Sequence, residues 1–247
     1  MAGWLDSMNW PPYPGPAPLL DGDVHIVGWA PGAGSERMAE WRATLAADEV
    51  ERASRFRFAR HRLAWEAARG GLREVLGGYV GKAPAELEFA VATDGKPSLV
   101  GGRGLRFNLS HTDDLVVLAM TRGGELGVDV EARRSVPERA AIAQTHFTAT
   151  ERALLAAAER DGDGERCFLR LWTRKEALIK AVGIGLGYPL PRVDVSWAAG
   201  SGGPVFQPDA PGASGAWTLD DLDVGPDHQG ALACRFFVGE IRSFRLG

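Results

Sequence analysis

Hydrophobic and polar positions along this chain alternate with two different periods. A period of two predicts strands at residues 24–29, 86–92, 105–109, 115–120, 126–131, 192–197 and 231–237. Helical spacing predicts helices at residues 35–47, from 48 onwards, and at 63–79, 149–160 and 166–182. Prolines crowd residues 10–18, and because proline fixes φ and lacks an amide donor, this segment is predicted to be extended.

The second half of the chain repeats the order of elements in the first half. In each half a strand is followed by helices and then by further strands. This repetition predicts an α+β fold of two similar lobes about a pseudo-twofold axis, each a small, mostly antiparallel sheet packed on a long helix. The predicted parts are a proline-rich arm at residues 1–20, an N-terminal lobe at 21–122 and a C-terminal lobe at 123–247. Ligand sites favour the seam between such lobes.

Composition narrows the class of protein. The chain has 247 residues, 45% of them hydrophobic, which is enough apolar surface for one large or two small cores. A net charge of -4 disfavours a nucleic-acid partner. No apolar run reaches the length of a membrane span, and Cys167 and Cys234 stand in apolar surroundings. We therefore expect a soluble, cytoplasmic protein with reduced thiols and no membrane partner, with a single disulfide as the alternative.

One predicted helix carries a charged face in apolar surroundings. Trp172, Glu176 and Lys180 follow one another at intervals of four, so a helix stacks them on one face, with Lys175 beside it. The flanking residues are apolar, which indicates packing into a core, where charged groups need partners or a function. The alternative is an ordinary Glu-to-Lys pair on a solvated face.

The predicted strand at 126–131 bears two carboxylates. Asp129 and Glu131 are two residues apart, so both side chains point to the same face of an otherwise apolar strand. Like charges repel unless a cation lies between them, and paired carboxylates with phosphate oxygens and waters commonly hold Mg²⁺. Alternatively, the strand ends at Val130 and Glu131 belongs to the following loop.

A polar turn follows the predicted strand at 105–109. Asn108, Ser110, His111 and Thr112 place amide, hydroxyl and imidazole groups within one short stretch. His111 is a candidate base, phosphate ligand or metal ligand, and phosphate contact is favoured because no acidic or Cys neighbour stands at metal spacing. Alternatively, Asn108 and Ser110 merely stabilise the bend.

Positive charge concentrates before the predicted helix at 63–79. The basic residues are interleaved with Phe56 and Phe58, and they are Arg52, Arg55, Arg57, Arg60, His61 and Arg62. Such a patch suits a nucleic acid, a phosphorylated ligand or an acidic protein. The simpler interpretation is a solvated helix face with two core phenylalanines.

The separate motifs stand in one order along the chain. They are Gly95-Lys96-Pro97, Phe107 to His111, Gly127 to Glu131, Phe147 to Glu151, and Trp172 to Ala177 with Lys180. Their joint spacing is far more specific than any single motif. Over residues 25–197 the chain resembles the two-lobed, Sfp-type 4′-phosphopantetheinyl transferases.

This resemblance implies an enzyme that acts on coenzyme A. The family moves the 4′-phosphopantetheine arm of coenzyme A to a serine of an apo acyl or peptidyl carrier protein and releases adenosine 3′,5′-bisphosphate. By resemblance, Asp129, Glu131 and Glu176 hold Mg²⁺ on the pyrophosphate. Glu176, or a water in its place, is the general base, and Lys180 stabilises or protonates the leaving phosphate.

The resemblance also implies a set of coenzyme A contacts. Lys175 and Lys180 bind phosphate, and Ser110 with His111 contacts the region of the 3′-phosphate. Lys96 and Pro97 border the adenine. One of the arginines before the first long helix grips the 3′-phosphate, the candidates being Arg55, Arg60 and Arg62.

Partners and alternatives follow from the same resemblance. Carrier proteins are typically acidic helical bundles, so docking on this slightly acidic chain is expected to use a local basic or apolar patch. A two-lobed chain supplies both halves of its seam, so we expect a monomer. The alternatives are a coenzyme A-binding protein without transfer activity and a metal-dependent phosphoesterase. The intact acidic trio argues against the first, and the lack of a second His and Asp cluster argues against a two-metal form of the second.

Overall fold

Two small sheets lie face to face between two long helices. The computed structural model describes residues 8–32, 34–91, 95–196, 205–206, 214, 217–236 and 238–247. Its α-helices are α1 Ser35–Ala43, α2 Ala47–Ser54, α3 Ala59–Val80, α4 Arg139–His146, α5 Ala149–Arg160 and α6 Gly164–Val182. None of the helices in these ranges combines the length and apolarity needed to cross a bilayer.

The strands are short, and the central strands of the two larger sheets are buried throughout. They are β1 Val24–Trp29, β2 Phe89–Val91, β3 Pro97–Leu99, β4 Arg106–His111, β5 Val116–Thr121, β6 Leu126–Ala132, β7 Val193–Asp194, β8 Val205–Phe206, β9 Thr218–Leu222, β10 His228–Cys234 and β11 Ile241–Arg245. The two three-residue strands β2 and β3 form one minor two-stranded sheet, and the two-residue strands β7 and β8 form another.

The first sheet has the strand order β11-β1-β5-β4. One of its faces packs on α3, where Val27 and Trp29 of β1 meet Leu72 and Val75 of the helix in one buried cluster. The parallel pairing of β11 with β1 brings the last strand of the chain beside the first. A period-two pattern turns alternate residues to opposite faces, so this sheet is buried on both sides.

The second sheet has the order β6-β10-β9 and packs on α6. Alternation divides β6 between two environments. Leu126, Val128 and Val130 lie in a buried cluster with residues of the first sheet. The intervening positions therefore face α6, and these include Asp129 and Glu131.

The α+β class predicted from the sequence is confirmed, and β1 and α5 have the predicted bounds. Helix α4, the short β3 and β8, and the strands β9 and β11 were not predicted. The strand β11 belongs to the predicted C-terminal lobe by its position in the chain, but it pairs into the sheet that contains β1 and β5 of the predicted N-terminal lobe. The predicted boundary at residue 122 therefore does not separate the two sheets. The pseudo-twofold relation and the division into three parts stay predictions, and residues 1–7 of the arm lie outside the described ranges.

Gly127 permits the close approach of β6 to α6. A Cβ atom built at this position would lie 2.1 Å from the carbonyl oxygen of Ala177 and 2.5 Å from the amide nitrogen of Ala181. Both obstacles are backbone atoms, which cannot swing aside as the end of a side chain can.

We therefore expect Gly127→Ala to lower the free energy of unfolding by about 1–3 kcal/mol, the usual cost of overpacking a core. Urea unfolding monitored by circular dichroism measures this change. Gly32→Ala is the matched control, because an added Cβ there meets nothing within 4 Å. Equal stability of the two variants would contradict the proposed contact.

Candidate active site

The edges of the two sheets meet at β4 and β6, and side chains join them. The Asn108 side-chain oxygen accepts from the Val128 amide at 2.8 Å, and the Ser110 hydroxyl accepts from the Val130 amide at 3.3 Å. Because these two polar residues are two positions apart, they lie on the same face of β4 and reach successive free amides of β6. Asn108 lies in a strand as predicted, and Ser110 belongs to the same strand β4, which corrects the assignment of Ser110 to a turn. Together the two side chains join the edges of the two sheets.

Three carboxylates lie together beside this seam. Asp129 and Glu131 come from β6, and Glu176 comes from α6. Burial raises the pKa of Glu176 to about 7, and the charges of Asp129 and Glu131 add to the rise against the opposing effect of Lys180. Burial also raises the pKa of Asp129, and burial together with Asp129 raises that of Glu131. Clustered like charges destabilise one another when no cation is present.

Lys180 is the cation within this cluster. Its ammonium donates to Asp129 Oδ1 at 2.7 Å, to the Ser110 hydroxyl at 3.0 Å and to the Val128 carbonyl at 3.1 Å. The Ser110 hydroxyl itself donates to Asp129 Oδ1 at 2.9 Å. Ser110 is therefore occupied by protein partners, and its main contact is with the carboxylate cluster.

The carboxylates provide suitable ligands for a divalent cation. Asp129 Oδ2 and Glu176 Oε1 are buried and have no hydrogen-bond partner in the structure, and buried polar atoms without partners are unusual. Among the residues that the structure describes, no group of three or more His, Cys, Asp or Glu side chains has the arrangement needed to hold a metal ion as it stands. The donor set still fits Mg²⁺, which prefers carboxylate oxygens and keeps several waters.

A cavity of about 560 Å³ opens onto the cluster. Ser110, His111, Asp129, Glu131 and Lys180 line it, as expected for residues of one site. His111 is exposed there, so its imidazole is accessible to a ligand. Thr112 of the predicted polar turn also lines the cavity, and three further lining residues were not predicted as site residues, namely Asp113, Asp114 and Arg134. The paired aspartates and the arginine following Glu131 were the available signals.

The structure places Lys175 away from this cavity. Its side chain is completely buried, and its ammonium binds Glu151 at 2.9 Å and the carbonyls of Leu190 and Val193 at 2.9 and 2.8 Å. The expectation that Lys175 binds phosphate is therefore corrected. Adjacent helical residues differ in direction by about 100°, so Lys175 and Glu176 cannot serve the same face.

The predicted phosphate-binding arginines lie at the start of α3 and just before it. Arg55 forms an exposed salt bridge with Glu51 at 2.5 Å, and Arg62 approaches Glu66 at 4.0 Å. The Arg60 guanidinium lies over the Phe58 ring at 5.2 Å. Of these three, Arg55 lines a cavity of about 550 Å³.

A neighbouring cavity of about 680 Å³ is lined by three other arginines, Arg52, Arg69 and Arg73. Arg52 lies over the Trp65 ring at 5.9 Å, and Arg69 lies over the Phe89 ring at 4.7 Å. The same cavity is lined by Pro97, one of the residues predicted to border adenine. The sequence motifs gave no spacing signal for Arg69, because it lies within the long helix α3.

Lys96 points to a different, smaller cavity of about 290 Å³, which Pro97 also lines. The Lys96 ammonium binds Glu125 at 2.9 Å and the Leu126 carbonyl at 3.0 Å. Both residues of this motif therefore lie at the smaller cavity, and of the two only Pro97 also lines the larger one. Pro97 borders both cavities, and Lys96 ties the segment before β3 to the start of β6.

A hydrogen-bonded pair joins the two sheets at the rim of the main cavity. The buried His228 ring on β10 binds the Asp114 carboxylate at 2.9 Å, and the Thr112 hydroxyl donates to the same oxygen at 2.7 Å. Burial acts to raise the pKa of Asp114, but these hydrogen bonds outweigh it and the pKa lies below its ordinary value.

We expect Asp114→Asn to lower the free energy of unfolding by about 1 kcal/mol at pH 7, since Asp114 is half exposed and solvent weakens the pair. A lowered pKa stabilises the fold above the ordinary pKa of Asp, and this contribution disappears as the pH falls through the lowered value. The difference from wild type should therefore shrink below about pH 4. Urea titrations at several pH values test this, with Asp113→Asn as control. A difference independent of pH would contradict the assignment.

The fold and the carboxylate-lined cavity agree with comparisons to known proteins. A sequence model described as the N-terminal part of 4′-phosphopantetheinyl transferase matches residues 28–123. A model of the 4′-phosphopantetheinyl transferase superfamily matches residues 125–234. The two matches follow one another, and the chain belongs to the 4′-phosphopantetheinyl transferase superfamily.

Individual relatives support the same assignment. The 4′-phosphopantetheinyl transferase HetI of Nostoc sp. is 36% identical over 182 residues, which are 72% of this chain and 76% of the relative. A phosphopantetheinyl transferase of Thraustochytrium sp. is 31% identical over 199 residues, or 76% of this chain and 68% of the relative. The L-aminoadipate-semialdehyde dehydrogenase-phosphopantetheinyl transferase of Xenopus laevis is 28% identical over 235 residues, or 87% and 76%.

Proposed function

We propose that this protein transfers the 4′-phosphopantetheine moiety of coenzyme A to a serine of an apo acyl or peptidyl carrier protein. Adenosine 3′,5′-bisphosphate is the second product. Membership of the superfamily supports this reaction. The observation that carries it is the group of Asp129, Glu131 and Lys180 at one cavity. Glu176 does not line that cavity but interacts electrostatically with all three, and one buried oxygen each of Asp129 and Glu176 lacks a partner.

The carboxylates have a natural part in such a reaction. Asp129, Glu131 and Glu176 would hold Mg²⁺, which when bound neutralises charge on the pyrophosphate. Glu176 accepts the proton of the carrier serine, directly or through a water, as the serine oxygen bonds to phosphorus. A carboxyl whose pKa lies near neutrality is better matched to this task than an ordinary one.

Lys180 and His111 complete the proposed phosphate site. The bond between phosphorus and the leaving adenosine bisphosphate breaks in the same step, and the Lys180 ammonium stabilises the negative charge left on that oxygen. His111 is exposed in the same cavity and can contact a phosphate. We further propose that the cavity with Arg52, Arg69 and Pro97 receives the adenosine end of coenzyme A. The Arg52 guanidinium suits phosphate there, whereas that of Arg69 is paired with Glu49.

Transfer is tested directly by mass spectrometry. The protein is incubated with coenzyme A, Mg²⁺ and apo carrier proteins from fatty-acid, polyketide and nonribosomal peptide synthesis. The expected result is a gain of one phosphopantetheine group on a carrier, lost when the acceptor serine is changed to alanine and when EDTA is added. No gain on any carrier would defeat the proposal, and a gain unaffected by EDTA would defeat the metal assignment.

We also propose a monomeric protein in a reducing cytoplasm. Cys167 and Cys234 are both buried and free in the structure, which supports a reducing compartment. Light scattering after size-exclusion chromatography tests the oligomeric state. A mass of twice 26.5 kDa would contradict the monomer.

A further inference from the structure

An exposed basic and aromatic surface surrounds the start of α3. We define this α3 entry patch as Arg57, Phe58, Arg60, His61 and Leu63. Phe58 is 48% exposed and Leu63 is 38% exposed, so neither belongs to the core. This corrects the sequence-based alternative in which Phe58 was a core residue. The side chains of Arg57 and Arg60 are likewise exposed.

Among the residues that the structure describes, the arginines of the patch contact its own rings and no carboxylate; Arg60 also donates a hydrogen bond to the His61 ring at 3.2 Å. The guanidinium groups of Arg57 and Arg60 lie over the Phe58 ring at 5.3 and 5.2 Å. The Phe58 and His61 rings meet edge to face at 5.6 Å. Among the described residues, neither Arg57 nor Arg60 forms a salt bridge with a carboxylate, whereas the adjacent Arg55 pairs with Glu51.

The arrangement has a cost in the isolated protein. Helix α3 begins without a capping side chain and without an acidic residue in its first turn. Cations at a helix N-terminus oppose the helix dipole, and the exposed part of the Phe58 ring gains nothing from burial. Folding alone therefore does not explain the patch. An aromatic centre surrounded by arginines is the usual composition of a binding hot spot.

We propose that the α3 entry patch docks the acidic surface of the carrier protein, an inference that rests on the proposed function. Its charge is opposite to that of an acidic helical bundle, although the whole chain carries -4. The patch adjoins the cavity lined by Arg55 and Phe56, which shares Arg52 with the larger cavity. That larger cavity reaches Asn108 and Leu109, next to Ser110 of the active site.

The decisive variants reverse the charge and remove the aromatic centre. They are Arg57→Glu, Phe58→Ser and the double variant, because neither residue belongs to the proposed catalytic or coenzyme A site. Arg166→Glu is the matched control, since Arg166 is also exposed near the N-terminus of a long helix. Thermal unfolding of each protein verifies that it is folded.

Two measurements are made on each protein. Steady-state transfer gives KM for the carrier and KM for coenzyme A separately, and direct titration gives the Kd for a carrier whose acceptor serine is replaced by alanine. We expect the double variant to raise the carrier KM and Kd about tenfold or more, as for loss of hot-spot residues. The KM for coenzyme A and kcat should stay within twofold, and raised salt should narrow the difference.

The outcomes separate docking from transfer. Unchanged carrier KM and Kd in the double variant, with normal transfer by the wild type, would overturn docking alone. If the double variant lost affinity for a DNA duplex but kept its affinity for the carrier, the docking proposal would be overturned in favour of a nucleic-acid partner. Carrier binding through the patch without transfer would uphold docking and defeat the proposed reaction. A wild type that binds no carrier would defeat both.

Discussion

Glu176→Gln is expected to reduce transfer to carrier proteins by about a thousandfold while the protein stays folded. Glutamine keeps the size of the side chain but can neither accept a proton nor supply an anionic oxygen to a metal. General-base catalysis contributes about 10²–10⁴-fold in enzymes. Loss of a charged metal ligand would add to this effect. Single-turnover transfer measures the rate, and Glu165→Gln on the same helix is the control.

Glu176→Gln is also expected to change the pH dependence of stability, separately from its effect on transfer. Because the pKa of Glu176 is raised from 4.5 to about 7, its stabilising contribution is present below pH 4.5 and is lost as the pH rises through 7. In EDTA at pH 8 the glutamine variant should therefore be more stable than wild type, by on the order of 1–3 kcal/mol. Near pH 4 the two should converge.

Urea unfolding at both pH values tests this reversal. A further measurement is binding of Mn²⁺ by calorimetry, which should weaken in the variant whether or not a carrier is present. Full transfer activity in Glu176→Gln would defeat its role as base and ligand. A variant less stable than wild type at pH 8 would contradict the electrostatic repulsion between Glu176, Asp129 and Glu131.

Lys175→Met should have the largest effect on stability, lowering the free energy of unfolding by about 3–5 kcal/mol. The substitution removes the cation from a fully buried pair and leaves the Glu151 carboxylate uncompensated. It also leaves the carbonyls of Leu190 and Val193 without their donor. Chemical denaturation at pH 7 measures the loss.

Lys175 and Lys180, which are five residues apart on α6, provide an internal comparison. The double variant Lys175→Met with Glu151→Gln should recover part of the stability, because no buried charge remains unpaired. The folded fraction of Lys175→Met should transfer normally, since Lys175 does not line the active-site cavity. Lys180→Met should lose transfer. An inactive but stable Lys175→Met protein would contradict this division of roles.

Local periodicity was enough to place several site residues correctly relative to one another. The period of two puts Asp129 and Glu131 on one face of β6, and the period of four puts Glu176 and Lys180 on one face of α6. These relations depend only on backbone geometry within a single element. The order of the motifs along the chain also indicated the protein family, because their joint spacing is specific.

Strands and helices with weak patterns were not predicted. The segment Ile241–Arg245 is only partly buried, and its place beside β1 depends on a parallel pairing between opposite ends of the chain. Helix α4 is short and buries few side chains, so its apolar period is faint. Such elements are specified by contacts distant in sequence, which a local window does not contain.

The sequence by itself determined the α+β class, the main helices and strands, and which charged residues share a face of one element. Only the tertiary structure decided which face of α6 meets β6. That choice brings Glu176 and Lys180 to Asp129 and buries Lys175 against Glu151. The physical reason is that α6 packs against apolar surfaces on several sides. Lys175 and Lys180 therefore both have apolar neighbours in the sequence, and the sequence does not show which of them faces β6. Close packing of α6 on Gly127, where no side chain intervenes, determines which lysine faces Asp129 and the proposed phosphate site.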